Sequence, residues 1–448
     1  MCESLQKEFA MIAIMNTNAP ATHSLAQASS YWFKLGLISF GGPAGQISIM
    51  HQDLVEKRHW ISERRFMHAL NYCMVLPGPE AQQLATYIGW LMHGVRGAVV
   101  AGGLFVLPSL LVLIGLSWLY MSLGAQITTQ ALYGIKPAVI AVVAFAAWRI
   151  GKKVLKQKEL WLIAAAAFLA VLLLKLPFPL IVATAGVLGW ILRARLRTRS
   201  GHIANSVQQS VPAMIDDSTP IPAHARYSKA SLFKVLFGGI SLWGAGFLIT
   251  YSMDPTLTQM AAFFSKAALV TFGGAYAVMP YVFQATVEHY QWLTPAQMLD
   301  GLALGETTPG PLIMVVAFVG FVGAWSKAAL LSPAAAGVLG ACVATYFTFL
   351  PSFVFILAGG PLVEHTREDF KLAGPLAAIT AAVVGAILYL AVFLAWHLLW
   401  PLGWSAMPDW FAMVLAVVAW WVLYREKLGM IPVIVLSGLA GALWRYLL

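Results

Sequence analysis

Two short stretches of this sequence gather the residue types able to hold a negatively charged guest. Lys34, Gly41, Gly42 and Pro43 form the first, and Pro77, Gly78, Pro79, Glu80, Gln82 and Gln83 form the second. Related sets recur far along the chain as Lys266, Gly273 and Gly274, then Glu306, Thr307, Thr308, Pro309, Gly310 and Pro311. Proline removes a backbone donor and breaks a helix, and glycine lets a ligand come close to the main chain. The helix that starts after such a break presents free amides and a partial positive charge, a chemistry suited to an anion. The lysines could balance a dianion, and the glutamine amides and threonine hydroxyls could donate hydrogen bonds to its oxygens. Glu80 and Glu306 lie beside the breaks, where a carboxylate could carry a coupling proton or cap a half-helix. Arg64 and Arg65 could draw an anion to the mouth of a path or anchor a loop. Competing structural readings stand beside these. A lysine near the end of a span snorkels to the interface, and Gly-Gly or Pro-Gly-Pro breaks let helices pack closely.

Composition says what kind of elements must position these residues. The 448 residues are 60% hydrophobic and 10% charged, against about 25% charged in a soluble domain. Apolar runs at 98–123, 131–148, 160–176, 178–192, 232–251, 374–400, 409–424 and 430–448 approach the roughly 20 residues a helix needs to cross a bilayer. They lack the alternating pattern of an outer-membrane barrel. The fold class is an all-α polytopic membrane protein with 9–13 membrane segments. The net charge of +10 sits in loops between apolar spans, chiefly at 149–158 and 193–234, which is the positive-inside pattern and not a nucleic-acid patch. Three cysteines without pairing or ligand spacing point to neither a disulfide framework nor a metal site. His-Glu-x-x-His, Gly-x-Ser-x-Gly, Walker A and dinucleotide motifs are lacking. No enzyme chemistry and no cofactor is therefore expected. Lys136, before Pro137 in an otherwise apolar span, is expected to face the interior.

The chain repeats itself. Residues 31–80 align without a gap on 263–312. Lys34 meets Lys266, Phe40-Gly41-Gly42 meets Phe272-Gly273-Gly274, Trp60 meets Trp292, and Pro77-Gly78-Pro79 meets Pro309-Gly310-Pro311. Leu107-Pro108-Ser109 matches Leu350-Pro351-Ser352 further on. The organisation read from this is a tail at 1–28, a first repeat at 29–194, a basic loop and linking helix at 195–255, and a second repeat at 256–448. Loop 51–65 carries Lys57, Arg58, Arg64 and Arg65, whereas 283–297 has no Lys or Arg; loop 149–158 is basic and its counterpart near 399–409 is not; segment 123–130 is uncharged where its counterpart holds Arg367 and Lys371. Equivalent loops thus face opposite compartments, so the repeats are inverted, an arrangement that places a transported guest where the halves meet. Parity between loops 51–65 and 149–158 further requires segment 66–91 to be a re-entrant hairpin turning at Pro77-Gly78-Pro79. Irregular backbone at that depth is tolerated where it is buried in protein or lines a wet cavity.

Phe40-Gly41-Gly42-Pro43, then Trp60-Ile61-Ser62, Arg64-Arg65-Phe66 and the run Leu76-Pro77-Gly78-Pro79-Glu80-Ala81-Gln82-Gln83-Leu84-Ala85 resemble the chromate ion transporter family, and the likeness extends from about residue 29 to the end. The resemblance implies a two-repeat secondary transporter of the bacterial cytoplasmic membrane that exports chromate and gives chromate resistance, with sulfate as competitor. It leaves open another oxyanion, an anion channel, protons as coupling ion and a homodimer. The second repeat departs from the first with Leu312 opposite Glu80 and Ala275 opposite Pro43, so the halves are expected to contribute unequally.

Overall fold

The computed structural model describes residues 24–40, 42–123, 132–192, 213–216, 219–220, 222–272, 275–365, 373–400, 407–425 and 428–447. Among them are sixteen α-helices and no strand, with one isolated bridge joining Ile61 to Ile215. The first half contains α1 Leu25–Ile38, α2 Gly42–His51, α3 Glu63–Val75, α4 Glu80–Leu123, α5 Ile135–Val154, α6 Lys158–Leu174 and α7 Phe178–Ile191. Helix α8, Lys229–Met253, links it to the second half. There follow α9 Pro255–Val270, α10 Ala275–Phe283, α11 Pro295–Thr307, α12 Val315–Lys327, α13 Pro333–His365, α14 Ala373–Leu399, α15 Trp410–Tyr424 and α16 Met430–Leu447. Helix α1 starts inside the stretch read as a tail. Ser24 and Gln27 form a reciprocal capping box there, satisfying amides that have no partner in the first turn.

Helices Glu80–Leu123, Lys229–Met253, Pro333–Glu364 and Gly374–Leu399 are long and apolar enough to cross a membrane. On α8 the exposed residues Phe233, Phe237, Ile240 and Leu248 follow helical spacing. That leaves an apolar stripe facing outward, which water would not tolerate and lipid does.

The repeat is visible in backbone detail. A π-turn, Gln52–Lys57, ends α2, and its counterpart, Gln284–His289, ends α10. Each turn leads to a residue held at positive φ, His59 at 50° and Gln291 at 52°. The following tryptophan amide then donates back into the turn, Trp60 to Leu54 and Trp292 to Thr286. The same tryptophans close equivalent aromatic clusters, Tyr31–Trp60 with centroids 5.1 Å apart and Phe263–Trp292 at 5.8 Å. Edge-on packing of this kind adds to the area that the rings bury.

Helices α3 and α4 form an antiparallel hairpin, with Tyr72 against Tyr87 across the turn at 76–79. Both open ends of that hairpin meet one short segment. The Ser62 amide donates to the Ile215 carbonyl, Arg65 donates to the Thr219 carbonyl, and His224 contacts the Trp90 carbonyl at 2.9 Å. Chain that leaves and returns to residues 215–224 has not crossed to the far end. At His93 and Gly94 the helical geometry of α4 breaks, Gly94 taking φ 63°, and the chain reverses, so that the second part of α4 runs back along the first with Gly89 against Gly97 and Ala101 and Gly102 against Thr86. In the second half the equivalent helices α11 and α12 are also antiparallel neighbours, Gly305 beside Val315 and Gly301 beside Phe318. The later helices are exchanged between halves: α6 and α7 pack on α14, while α15 and α16 pack on α5.

At both hairpin tips the central glycine is conformationally required. Gly78 has φ 129° and Gly310 φ 108°. A Cβ on Gly78 would lie 2.5 Å from Gln83 and Ser352, and one on Gly310 would lie 2.5 Å from Ser109. Gly310→Ala is expected to cost about 1–3 kcal/mol and to lower the thermal midpoint of the detergent-purified protein. An unchanged midpoint would show that the turn has freedom this packing denies it.

Candidate anion site

The four chain breaks meet. The Gly78 amide donates to the Thr271 carbonyl at 2.7 Å, and the Gly310 amide donates to the Ser39 carbonyl, also at 2.7 Å. Ser39 and Thr271 are equivalent residues ending α1 and α9, so the two bonds are repeats of one another with the halves exchanged. Each Pro-Gly-Pro tip therefore binds the helix end of the other half. A proline on either side of the glycine leaves its amide as the turn's free donor, and the crossing uses it. Gly41, Gly273 and Gly274 lie outside the described residues.

One half furnishes most polar groups at this crossing. Gln46 Nε2 donates to the Gly310 carbonyl at 2.6 Å. Gln83 Nε2 reaches the Pro77 carbonyl at 2.8 Å and Ser352 Oγ at 3.3 Å, and Gln82 Nε2 reaches Thr86 Oγ1 at 2.9 Å. The equivalent positions in the second half are Val278, Val315 and Met314. Ser39 Oγ, Ser109 Oγ and the Oε1 atoms of Gln46, Gln82 and Gln83 are buried without a partner. Unmet buried polar groups are costly, and here they cluster where α1, α2, α4 and the second tip converge.

Beside the crossing opens a cavity of about 560 Å³, lined by Gly42, Pro43, Ser48, His51, Glu80, Arg149, Lys153 and Tyr276 among its polar and break residues. The starts of α2 and α4 both reach it, through Gly42 and Glu80. Arg149 and Lys153 are one helical turn apart on α5 and so share a face. Lys152, on another face, lies over the Trp148 ring instead. His51 is held by Glu63 at 2.5 Å and Glu56 at 3.3 Å. Tyr276 donates to Glu306 at 2.8 Å, which places the second candidate carboxylate just behind the wall. Two cations, two helix starts and one lining carboxylate give this cavity the chemistry of a site for a dianion with a titratable neighbour.

Several expected residues stand elsewhere or are already engaged. Lys34 and Lys266 are exposed on the outer faces of α1 and α9, beside the exposed Phe33 and Leu37 in one case and Leu269 in the other. Their flexible stems let them reach the interface from a lipid-facing position, and neither lines the cavity. The hydroxyls of Thr307 and Thr308 donate to their own helix, at the Ala303, Leu304 and Gly305 carbonyls, and those protons are not free for a guest. Arg64 is exposed. Arg65 is buried, bonded to the Thr219 carbonyl and 3.6 Å from Glu364, so it is no mouth residue. Pro77, Pro79, Pro309 and Pro311 shape the tips without lining the cavity. Arg149, Lys153, His51, Ser48 and Tyr276 were not anticipated as site residues. The i, i+4 spacing of Arg149 and Lys153 carried a readable signal, masked by their equal fitness for topological anchoring.

Broken helices in a twice-repeated unit, a charged cavity at their junction and an apolar exterior define a polytopic membrane transporter. The chain belongs to the chromate transporter family, whose profile matches residues 26–190 and 258–442, one stretch per repeat. It is 32% identical to a chromate transport protein of Cupriavidus metallidurans over 80% of this chain and 78% of that protein. It is 31% identical to a chromate transport protein of Pseudomonas aeruginosa over 94% of this chain and 93% of the other. A probable chromate transport protein of Synechococcus elongatus is 30% identical over 80% and 81%. No solved structure matches the chain.

Replacing either Arg149 or Lys153 by glutamine removes one charge from the cavity. Unit charges about 4 Å apart interact by about 4 kcal/mol at an effective dielectric near 20, and solvent reaching this wall reduces that to about 1–2 kcal/mol. Each variant is expected to weaken oxyanion affinity about tenfold, read by equilibrium binding to purified protein. Lys34→Ala is expected to leave it within about twofold, because exposed surface changes of this kind shift energies by about 0.5 kcal/mol or less; a tenfold loss there would return Lys34 to the site.

Proposed function

We propose that this protein is a secondary transporter that exports chromate, and oxyanions of sulfate-like shape, across the bacterial cytoplasmic membrane. The observation that carries the reading is the cavity where Arg149 and Lys153 face the starts of two half-helices beside the crossed tips. Chromate transport is what the named relatives are described as doing. A tetrahedral dianion suits the cavity in charge: two fixed cations balance it, and first-turn amides supply directional donors without titrating.

The cavity opens to the cytoplasm in this reading. It lies beside the basic segments 51–65 and 149–158, which the positive-inside rule retains on that side. The repeats, at 29–194 and 256–448 with a linker between, are inserted in opposite senses. Support comes from contacts: the start of α3 meets the end of α13 through Arg65 and Glu364, and the middle of α11 meets the end of α4 through Asp300 and Tyr120. Because α3 and the first part of α4 fold back as a hairpin, the start of α3 and the end of α4 lie at opposite ends of the molecule, and so do the start of α3 and Asp300 of α11.

Transport follows as exchange between two arrangements about the crossing. The anion enters from the cytoplasm, displaces water and is held by Arg149, Lys153 and the helix starts. The halves then shift about the paired tips and the site opens to the other side. Export of a dianion runs down an inside-negative potential at about 2.3 kcal/mol per charge per 100 mV. Glu80, on the cavity wall, and Glu306, behind Tyr276, are the coupling candidates; a proton on Glu80 turns a repelling carboxylate into a donor for the guest.

Inverted vesicles containing the protein are expected to take up chromate faster than empty ones, with excess sulfate competing and uptake falling when the potential is collapsed. Uptake equal to that of empty vesicles would sink the proposal. Thiol labelling of single cysteines in loops 51–65 and 283–297 is expected to place them on opposite faces; labelling from one face would sink the inverted arrangement.

A further inference from the structure

Two buried charge clusters do not line the cavity, and neither is explained by anion binding. In one, Lys136 Nζ on α5 sits 2.8 Å from Asp300 Oδ1 on α11, and Tyr120 Oη on α4 donates to Asp300 Oδ2 at 2.9 Å. Asp300 is 1% exposed, and Lys136 and Tyr120 are each 5% exposed. In the other, Arg65 on α3 pairs with Glu364 on α13, and Tyr87 donates to the same carboxylate at 2.5 Å. The two clusters obey one rule with the halves exchanged. The first helix of each hairpin is tied to the far end of the other half's long helix, Arg65 near the start of α3 to Glu364 on α13 and Asp300 midway along α11 to Tyr120 on α4. The Arg65 cluster lies at the cavity end, since Phe66 and Met67 line the cavity. The Asp300 cluster lies at the opposite end.

Between the crossing and the Asp300 cluster runs a buried stripe on α4. Ser109, Leu113, Ser117 and Tyr120 share one face at helical spacing, and all are at most 5% exposed. Ser109 is the residue against which Gly310 packs, so the stripe begins at the crossed tips. The hydroxyls of Ser109 and Ser117 are buried without a partner. Polar groups spaced along a sealed helix face in a membrane protein are what a path looks like when it is shut. The Lys136–Asp300 pair closes the end of that stripe away from the crossing, where Tyr120 meets Asp300.

A buried ion pair is a poor source of stability, because desolvation of both charges offsets their attraction and an apolar pair of similar volume does as well. Charges kept inside a membrane tend to serve function. We propose that Lys136 and Asp300, with Tyr120, form a latch that holds the exit opposite the cavity closed, and that the pair must part for the anion to leave. The latch rests on the transport reading above, since it needs a guest that travels along α4 from the crossing.

The test uses Ser117→Cys as a reporter in the full-length protein, with Cys2, Cys73 and Cys342 replaced by serine and chromate uptake confirmed in that background. A membrane-impermeant maleimide is applied to right-side-out and to inverted vesicles. With the latch intact, labelling is slow from both sides. In the apolar double variant Lys136→Met/Asp300→Leu, labelling from the face opposite the cavity is expected to rise about tenfold or more, as a population shift toward the open exit requires. Labelling from the cavity face is expected to stay slow, and chromate uptake to fall. The exchanged pair Lys136→Asp/Asp300→Lys is expected to restore slow labelling and part of the uptake, which a merely space-filling role would not do. Tyr120→Phe, which removes only the hydroxyl, guards against misfolding of the double variant and is expected to raise labelling severalfold from the same face. Unchanged labelling in both the double variant and Tyr120→Phe, or an equal rise from both faces, overturns the latch. Absence of chromate uptake in the unmutated protein would overturn the transport reading instead, and the labelling asymmetry would still be measured.

Discussion

Two hydrogen bonds hold the centre of this protein, each running from a glycine amide in one half to the last carbonyl of a helix in the other. Gly78 binds Thr271 and Gly310 binds Ser39. Inside a membrane a backbone group that ends a helix has no water to turn to, and leaving it unpaired costs several kcal/mol. Two broken helices per half would be untenable alone. Crossed, each break supplies what the other lacks, and the halves become obligatory partners. The proline-flanked tips cannot satisfy themselves within one repeat, which is a physical reason for the unit to exist twice in one chain.

From that constraint the rest of the layout follows. The tips can cross only if both hairpins turn back at mid-depth, so the helix starts after them, at Glu80 and near Leu312, also lie centrally. The exchanged packing of α6 and α7 on α14, and of α15 and α16 on α5, then wraps each half around the other. What results is an interlocked scaffold with a polar centre. The centre is not symmetric: Gln46, Gln82 and Gln83 come from the first half, where the second has Val278, Met314 and Val315. Duplication supplied the scaffold, and divergence left the polar equipment and the carboxylate on the cavity wall to one side.

Charge is distributed by depth. The basic residues on the outer surfaces and loops set orientation. Two of them, Arg149 and Lys153, are carried by the end of α5 against the cavity, so in the proposed transport one cluster serves both topology and binding. The buried pairs, Lys136 with Asp300 and Arg65 with Glu364, lie nearer the ends and tie one half to the other. The cavity cations and the inter-half ties are thus different residues; the proposed transporter, which must hold a guest and also rearrange, needs both kinds.

Much of this was legible in the sequence because the signals are local or periodic. The duplication shows as paired rare triplets and tryptophans, the membrane class as long uncharged runs, and the breaks as Gly-Gly and Pro-Gly-Pro, whose backbone consequences do not depend on context. The facing of a side chain does depend on context. Lys34 and Lys266 flank the breaks in the sequence yet point outward, because which side of α1 or α9 is buried is decided by the helices packed on it. Asp300 and Glu364 gave no warning, since each is defined by a partner from the other half. Thr307 and Thr308 have the right chemistry, but the helical backbone takes their protons first. The sequence by itself determined that there are two membrane-embedded copies of a unit with irregular centres, for proline and glycine impose their geometry wherever they stand. Only the tertiary structure decided which charges meet at those centres, because electrostatic partnership is a matter of distance in space, and distance is set by how the two copies interlock.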